Sequence, residues 1–194
     1  MSANHAAFNL IFRFVENYVS PIAGRISSQR HVMAIRDGFI SAMPFMIVGS
    51  FLLVFAYPPF SPDTTWGFAR AWLDMAKQFE GQILTPFDMT MGIMSIYICA
   101  AIAYNLGKHY VKSHQLDPFM CAMLSLMAFL LVAAPKTKGT LPVDSLGGTG
   151  IFTAILVAIY CVEMMRFLKA HNIGIRLPDQ VPPMIKNSFD LLIP

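Results

Sequence analysis

Four long apolar runs, separated by short polar stretches, set the pattern of the chain. Gly38–Tyr57, Met89–Gly107, Pro118–Pro135 and Ser145–Val162 each lack any Asp, Glu, Lys or Arg. At about 1.5 Å per residue, a helix of roughly twenty residues covers the ~30 Å hydrocarbon core of a bilayer. The runs therefore predict four spanning helices. Pro44 sits early in the first, where it predicts a modest kink, and Tyr57-Pro58-Pro59 ends it, because proline cannot continue a helix. From Asn187 the chain turns apolar again, which predicts the start of a fifth span. The fold expected is all-α, a polytopic membrane helix bundle, with residues 1–194 forming one membrane region.

Two segments between the runs have a different period. Over residues 6–22, Leu10, Ile11, Phe14, Val15, Tyr18, Val19 and Ile22 recur at helical spacing, while Arg13, Glu16, Asn17 and Ser20 fall elsewhere. That stretch is too charged to span and predicts a helix lying at the interface. Residues 61–84 predict a second surface helix, capped by Ser61-Pro62-Asp63-Thr64, with Phe68, Trp72, Met75, Ala76, Phe79 and Ile83 on one face. Both tryptophans, Trp66 and Trp72, lie there, as aromatic-belt residues do. Residues 108–114 are polar enough to predict a loop or a helix end, and Gly147-Gly148-Thr149-Gly150 predicts a flexible entry to the fourth span.

Composition sharpens the conclusion. Hydrophobic residues make up 56% of the chain and charged ones 13%, against about 25% charged in typical soluble domains. The first 30 residues carry Arg13, Glu16, Arg25 and Arg30, so no secretory signal peptide is expected and the first span must direct insertion. With the N-terminus inside, the inner segments hold Arg13, Arg25, Arg30, Arg36, Lys108, Lys112, Arg166, Lys169, Arg176 and Lys186. The outer ones hold Arg70, Lys77, Lys136 and Lys138. Ten against four predicts a cytoplasmic N-terminus.

Few residues suggest chemistry. Asp37 beside Arg36 predicts an interfacial ion pair, and Glu163 with Arg166 predicts an i,i+3 pair. Asp88 fits a helix N-terminus, and Asp190 sits near a membrane boundary. His5, His31, His109, His114 and His171 lie in polar segments without metal-ligand spacing, so no metal is assigned. Cys99, Cys121 and Cys161 lie within apolar runs and read as packing residues. No phosphate loop or nucleophile elbow occurs. The basic residues are spread over several segments, which argues against nucleic acid as a partner. Gly150, Ala154 and Ala158 form a small-residue face that predicts a close helix contact, with a homodimer as one use and packing within one chain as the other. The residues themselves assign no catalytic group, no substrate-binding group and no cofactor.

Two stretches resemble a known family. Arg176-Leu177-Pro178-Asp179-Gln180-Val181-Pro182-Pro183, continuing to Asn187-Ser188-Phe189 and Leu192-Ile193-Pro194, is similar to the loop before the fifth span of enzyme IIC sugar permeases of the bacterial phosphotransferase system. The likeness is to the lactose/cellobiose/diacetylchitobiose class, nearest to its diacetylchitobiose permeases. Val19-Ser20-Pro21-Ile22-Ala23, Ile35-Arg36-Asp37-Gly38-Phe39 and Met43-Pro44-Phe45-Met46-Ile47-Val48-Gly49-Ser50 resemble that family's opening. The resemblance implies a multi-pass protein of the bacterial cytoplasmic (inner) membrane that imports a β-linked disaccharide while a cytoplasmic IIB partner phosphorylates it. It also implies that the sugar site, with its histidine and glutamate, lies in a C-terminal half that nothing here matches. This chain is then expected to be the N-terminal scaffold and dimerisation part. A small membrane scaffold or assembly partner without transport is the alternative, and a small channel is disfavoured because no span carries a polar stripe.

Overall fold

The computed structural model describes residues 15–133 and 143–171, together with Arg13 and Ile173. All regular elements among them are helical. A π-helical turn, Val15–Val19, leads into α1 (Ser20–Ser27). The others are α2 (Arg30–Ala56), α3 (Gly67–Phe87), α4 (Met94–His114), α5 (Pro118–Ala133) and α6 (Ile151–Ala170). The interfacial helix expected over 6–22 is described from residue 15 and runs on to Ser27. The segment from 174 to 194, with Asp190 and the start of the fifth span, lies outside the described residues, as do Lys136 and Lys138.

The charge-free runs mark the apolar middles of the helices and miss their ends. Helix α2 begins at Arg30, eight positions before Gly38, and contains Pro44 within its length. Helix α6 begins at Ile151, after a 3-10 turn at Gly148–Gly150, and carries Glu163 and Arg166 inside it. Residues 108–114 are a helix end: α4 continues to His114 and stops at Gln115, whose φ of 53° places it in the left-handed region. Charged residues are tolerated in these end turns because long side chains reach the headgroup layer.

The second surface helix and the second span are joined end to end through a π turn. Ser61–Thr64 forms a turn, with Thr64 N–H donating to the Ser61 carbonyl at 3.0 Å, and the helix starts only at Gly67. It passes through Pro86 and a π turn at Asp88–Gly92, then after a break at Ile93 (φ −118°, ψ 26°) into α4. Asp88 therefore lies inside a helical rod, not at an N-terminus. The rod, Gly67–His114, joins Arg30–Ala56 and Gly148–Ala170 as helices long and apolar enough to cross a membrane, and Pro118–Ala133 is a shorter apolar helix.

Pairings along the helices give their directions. Gly49 abuts Thr90 and Met91, Gly38 abuts Ile102, and Arg30 lies over the Tyr110 ring, so α2 and α4 are antiparallel. Gly107 abuts Pro118 and Cys121 while Cys99 meets the Ser125 carbonyl, so α5 reverses again. Gly150 meets Ser95 and Glu163 meets Tyr110, so α6 runs parallel to α4. Four alternating passes result, with α4 packed against α2, α5 and α6.

Helix α4 is the core. Ser95, Ile98, Cys99, Ile102, Ala103, Leu106, Gly107 and Tyr110 are buried along it at helical spacing. Its partners present small residues: Ala34, Gly38 and Ala42 on α2, and Ala154 and Ala158 on α6. In lipid the hydrophobic effect does not draw helices together, so close backbone approach over small residues supplies the contact. The three cysteines are free and buried in this core. Large apolar side chains point outward instead, Leu131 being 73% and Phe152 71% exposed. That is the inside-out surface of a protein solvated by acyl chains.

The close contact expected of the Gly150–Ala154–Ala158 face is present, and of its two uses the structure shows packing within one chain: the face is buried inside the single chain, so it is not available to a second copy. The glycine run before α6 is packed at its two ends and open in the middle: a Cβ on Gly147 would lie 3.1 Å from the Gly92 carbonyl oxygen and one on Gly150 2.9 Å from Ser95 Oγ, while no described residue stands within 4 Å of one on Gly148.

Candidate functional site

At the end of the bundle that gathers Arg30, Lys108, Lys112, Arg166 and Lys169, three helices meet on one carboxylate. Glu163 of α6 points at α2 and α4. Its Oε1 accepts the Tyr110 hydroxyl at 2.6 Å and lies 2.9 Å from His31 Nε2. Its Oε2 pairs with Arg166 Nη2 at 2.7 Å. The guanidinium groups of Arg30 and Arg166 lie 5.7 and 5.2 Å from the Tyr110 ring centroid, within cation–π range. His114 packs edge-on against the same ring. Lys169 Nζ donates to the Gln115 carbonyl at 2.9 Å, tying α6 to the joint between α4 and α5.

The expected Glu163–Arg166 pair is present, but the residues that make it a junction were not foreseen. His31 and Tyr110 are 132 and 53 positions from Glu163, and neither falls in a periodic pattern that names the other. The expected Arg36–Asp37 pair also forms, at 2.8 Å. With three donors on its two oxygens and a quarter of its side chain exposed, Glu163 is committed as a tie between helices. It offers little free acceptor capacity for substrate chemistry.

The opposite end has a different character. Both the backbone N–H and the hydroxyl of Ser95 donate to the Leu146 carbonyl, pinning the turn before α6 to the start of α4. A cleft of about 420 Å³ opens beside it, lined by Val132, Ala133, Ser145, Thr149, Gly150 and Thr153. Its size suits a small molecule. However, Thr149 Oγ1 is engaged by the Asp144 carbonyl, and residues 134–142, next to Ala133, lie outside the described residues. On α3, Trp72 donates to the Phe55 carbonyl at 3.2 Å and packs on Phe55, Phe60 and Phe68. Tyr57 donates to Glu80 Oε1 at 3.0 Å.

Three polar groups within the spans are spent on backbone, whereas Ser125 Oγ is buried without a hydrogen-bond partner among the described residues and Thr153 lines the cleft. Thr90 Oγ1 donates back to the Pro86 carbonyl and Asn105 Nδ2 to the Ala101 carbonyl, each within its own helix. Ser95 is spent on Leu146. These groups do not converge on one concave site among the described residues, and no three His, Cys, Asp or Glu there are grouped to hold a metal ion.

Comparison with known proteins places this architecture. The family model for the phosphotransferase system EIIC matches residues 36–194. The cellobiose-specific EIIC component of Geobacillus stearothermophilus is 36% identical over 94% of this chain and 42% of its own length. The lactose-specific EIICB component of Streptococcus mutans is 33% identical over 90% of this chain and 30% of its own. Among solved structures, the crystal structure of ChbC, the IIC component of the N,N'-diacetylchitobiose-specific phosphotransferase system, superposes with a TM-score of 0.76. It is 35% identical over 93% of this chain and 43% of its own. The chain thus spans about two fifths of the cellobiose component and of ChbC. By the extent of the family match, the similarity of sequence and the shared bundle, this chain belongs to the EIIC family of the phosphotransferase system.

Proposed function

We propose that the chain is the N-terminal scaffold of a permease that imports a β-linked disaccharide, of the cellobiose or diacetylchitobiose kind, and presents it for phosphorylation by a cytoplasmic IIB partner. In this reading the bundle holds the transport half in the inner membrane and carries no sugar site of its own. Its N-terminus and the 108–114 helix end face the cytoplasm. Two copies pair through surfaces other than the Gly150–Ala154–Ala158 face, which is used within the chain.

The observation that carries the reading is the use of the polar groups in the spans. A disaccharide pocket needs several convergent donors and acceptors, and here Thr90, Ser95 and Asn105 bond to nearby backbone while Glu163 ties three helices. The likeness to ChbC over 93% of this chain supports it. The fused name of the lactose-specific EIICB relative supports a IIB partner.

The alternative is a self-sufficient membrane scaffold without transport. The codons that follow Pro194 in the gene separate the two. An open frame encoding further apolar spans, with His-Gly and Asn-Glu-Pro segments, is expected. A stop codon there favours the alternative.

A further inference from the structure

Helix α1 and the turn before it stand apart from the bundle. No residue from Val15 to Ser27 is buried. Val15, Val19, Ile22 and Ile26 recur at three- and four-residue spacing and form one apolar stripe, with Ile22 58% and Ile26 54% exposed. Glu16, Asn17, Ser20 and Ser27 lie off that stripe, and Arg25 borders it beside Ile22 and Ile26.

The position of the helix says what covers the stripe. Only Ser28 and Gln29 separate α1 from Arg30, the first residue of α2. Ser28 closes α1 through its N–H to the Gly24 carbonyl, and Gln29 turns extended, with ψ of 135°. A two-residue joint keeps the C-terminal end of α1 at the height of the first turn of α2. That height is the layer where His31, Tyr110 and Glu163 meet, and where the apolar stretches of α2, α4 and α6 give way to charge. It is the headgroup level. Exposed basic residues lie on this segment and at this end of the bundle: Arg13, Arg25 and Arg30 on the segment, and Lys108 and Lys112 on α4. Glu16 is the one carboxylate among the described residues of the 13–30 segment.

We propose that Val15–Ser27 is an anionic-lipid anchor. Its stripe enters the acyl boundary, and Arg13, Arg25 and Arg30 engage lipid phosphates. An apolar stripe alone inserts weakly. Basic residues on the flanks add attraction to an anionic leaflet. The proposal does not depend on the permease reading, because it concerns only how this segment meets the membrane.

The test uses the full chain in vesicles. Cys99, Cys121 and Cys161 are buried, so a bimane label goes to an introduced cysteine: Ile22→Cys on the stripe, or Asn17→Cys off it. Aqueous iodide and acyl-brominated lipid then report depth in phosphatidylglycerol and in phosphatidylcholine vesicles. The label at position 22 should be quenched by brominated lipid and shielded from iodide in phosphatidylglycerol, far less so in phosphatidylcholine, with the label at position 17 open to iodide in both. Arg25→Gln should shift the buried–exposed equilibrium in phosphatidylglycerol about fivefold toward exposure, the factor for one basic charge at an anionic surface, and Arg25→Lys should not. Equal burial in both lipids, or equal exposure in both, overturns the proposal. So does shielding that tracks a disulfide between two copies of the Ile22→Cys chain, which would make a second copy the occupant.

Discussion

The Tyr110 hydroxyl donates to Glu163 Oε1 at 2.6 Å, joining α4 to α6 across 53 positions of sequence. Removing the hydroxyl with Tyr110→Phe should cost about 1.5–2 kcal/mol, the lower part of the range for a hydrogen bond to a charged acceptor. Glu163→Ala strands His31, Tyr110 and Arg166 together and should cost about 2 kcal/mol, a figure held down by the partial exposure of the pair. The double variant should lose about 1 kcal/mol less than the sum, since both changes remove one interaction. The buried cysteines provide the readout, through a thiol-reactive dye during thermal unfolding in detergent. Strict additivity would mean that the two residues are not coupled.

Gly38 is a point of closest approach. A Cβ there would lie 2.9 Å from the Ile102 backbone nitrogen, whereas nothing stands within 4 Å of one on Gly24. Gly38→Val should destabilise the bundle by about 1–3 kcal/mol or more through overpacking. Gly24→Ala, in an exposed helix, should be neutral or stabilising by about 1 kcal/mol at most. The same thermal assay separates them, and similar midpoints for the two variants would deny the tight α2–α4 contact.

Ala154 is fully buried against the core of its own chain. Ala154→Leu should therefore lower the unfolding temperature of the monomer, by about 1–3 kcal/mol equivalent. Cross-linking between copies should persist in the fraction that remains folded. Loss of cross-links with an unchanged unfolding temperature would return this face to the dimer.

Orientation is read by labelling intact cells. Lys112 and Lys77 are both exposed, at opposite ends of the bundle. Lys77→Cys should react with a membrane-impermeant maleimide and Lys112→Cys should react only after permeabilisation. The reverse pattern would invert the topology drawn from the distribution of basic residues.

How much of this was legible in the sequence follows from what a charge-free window can see. It finds the lipid-contacting middles of helices, which is why Gly38–Tyr57 and Ser145–Val162 identify α2 and α6. The ends of those helices carry charge, so the window stops before Arg30 and His31 on one side and Glu163 and Arg166 on the other. The junction is built from the turns left out. The stripe Ala34–Gly38–Ala42 was cut for the same reason, although its four-residue spacing was there to be read. Pro86 and Asp88 look like a break between a surface helix and a span. Instead, the π turn at Asp88–Gly92 extends the helix past both of them and the break comes later, at Ile93, and Thr90 returns its hydroxyl to the Pro86 carbonyl. The local pairs, Arg36–Asp37 and Glu163–Arg166, needed only neighbours in sequence and were legible. The convergence of His31 and Tyr110 on Glu163 needed the packing of three helices.

In the proposed reading, this bundle supports sugar transport without carrying the sugar site. The most direct test is reconstitution of the 194-residue chain in vesicles, shown folded by its thermal transition. The vesicles are supplied with a phosphorylated IIB protein and labelled cellobiose or diacetylchitobiose. No phosphorylated sugar should appear inside above the level in protein-free vesicles. Accumulation above that control would contradict the reading, and would place a working sugar site among the helices between Arg30 and Ala170.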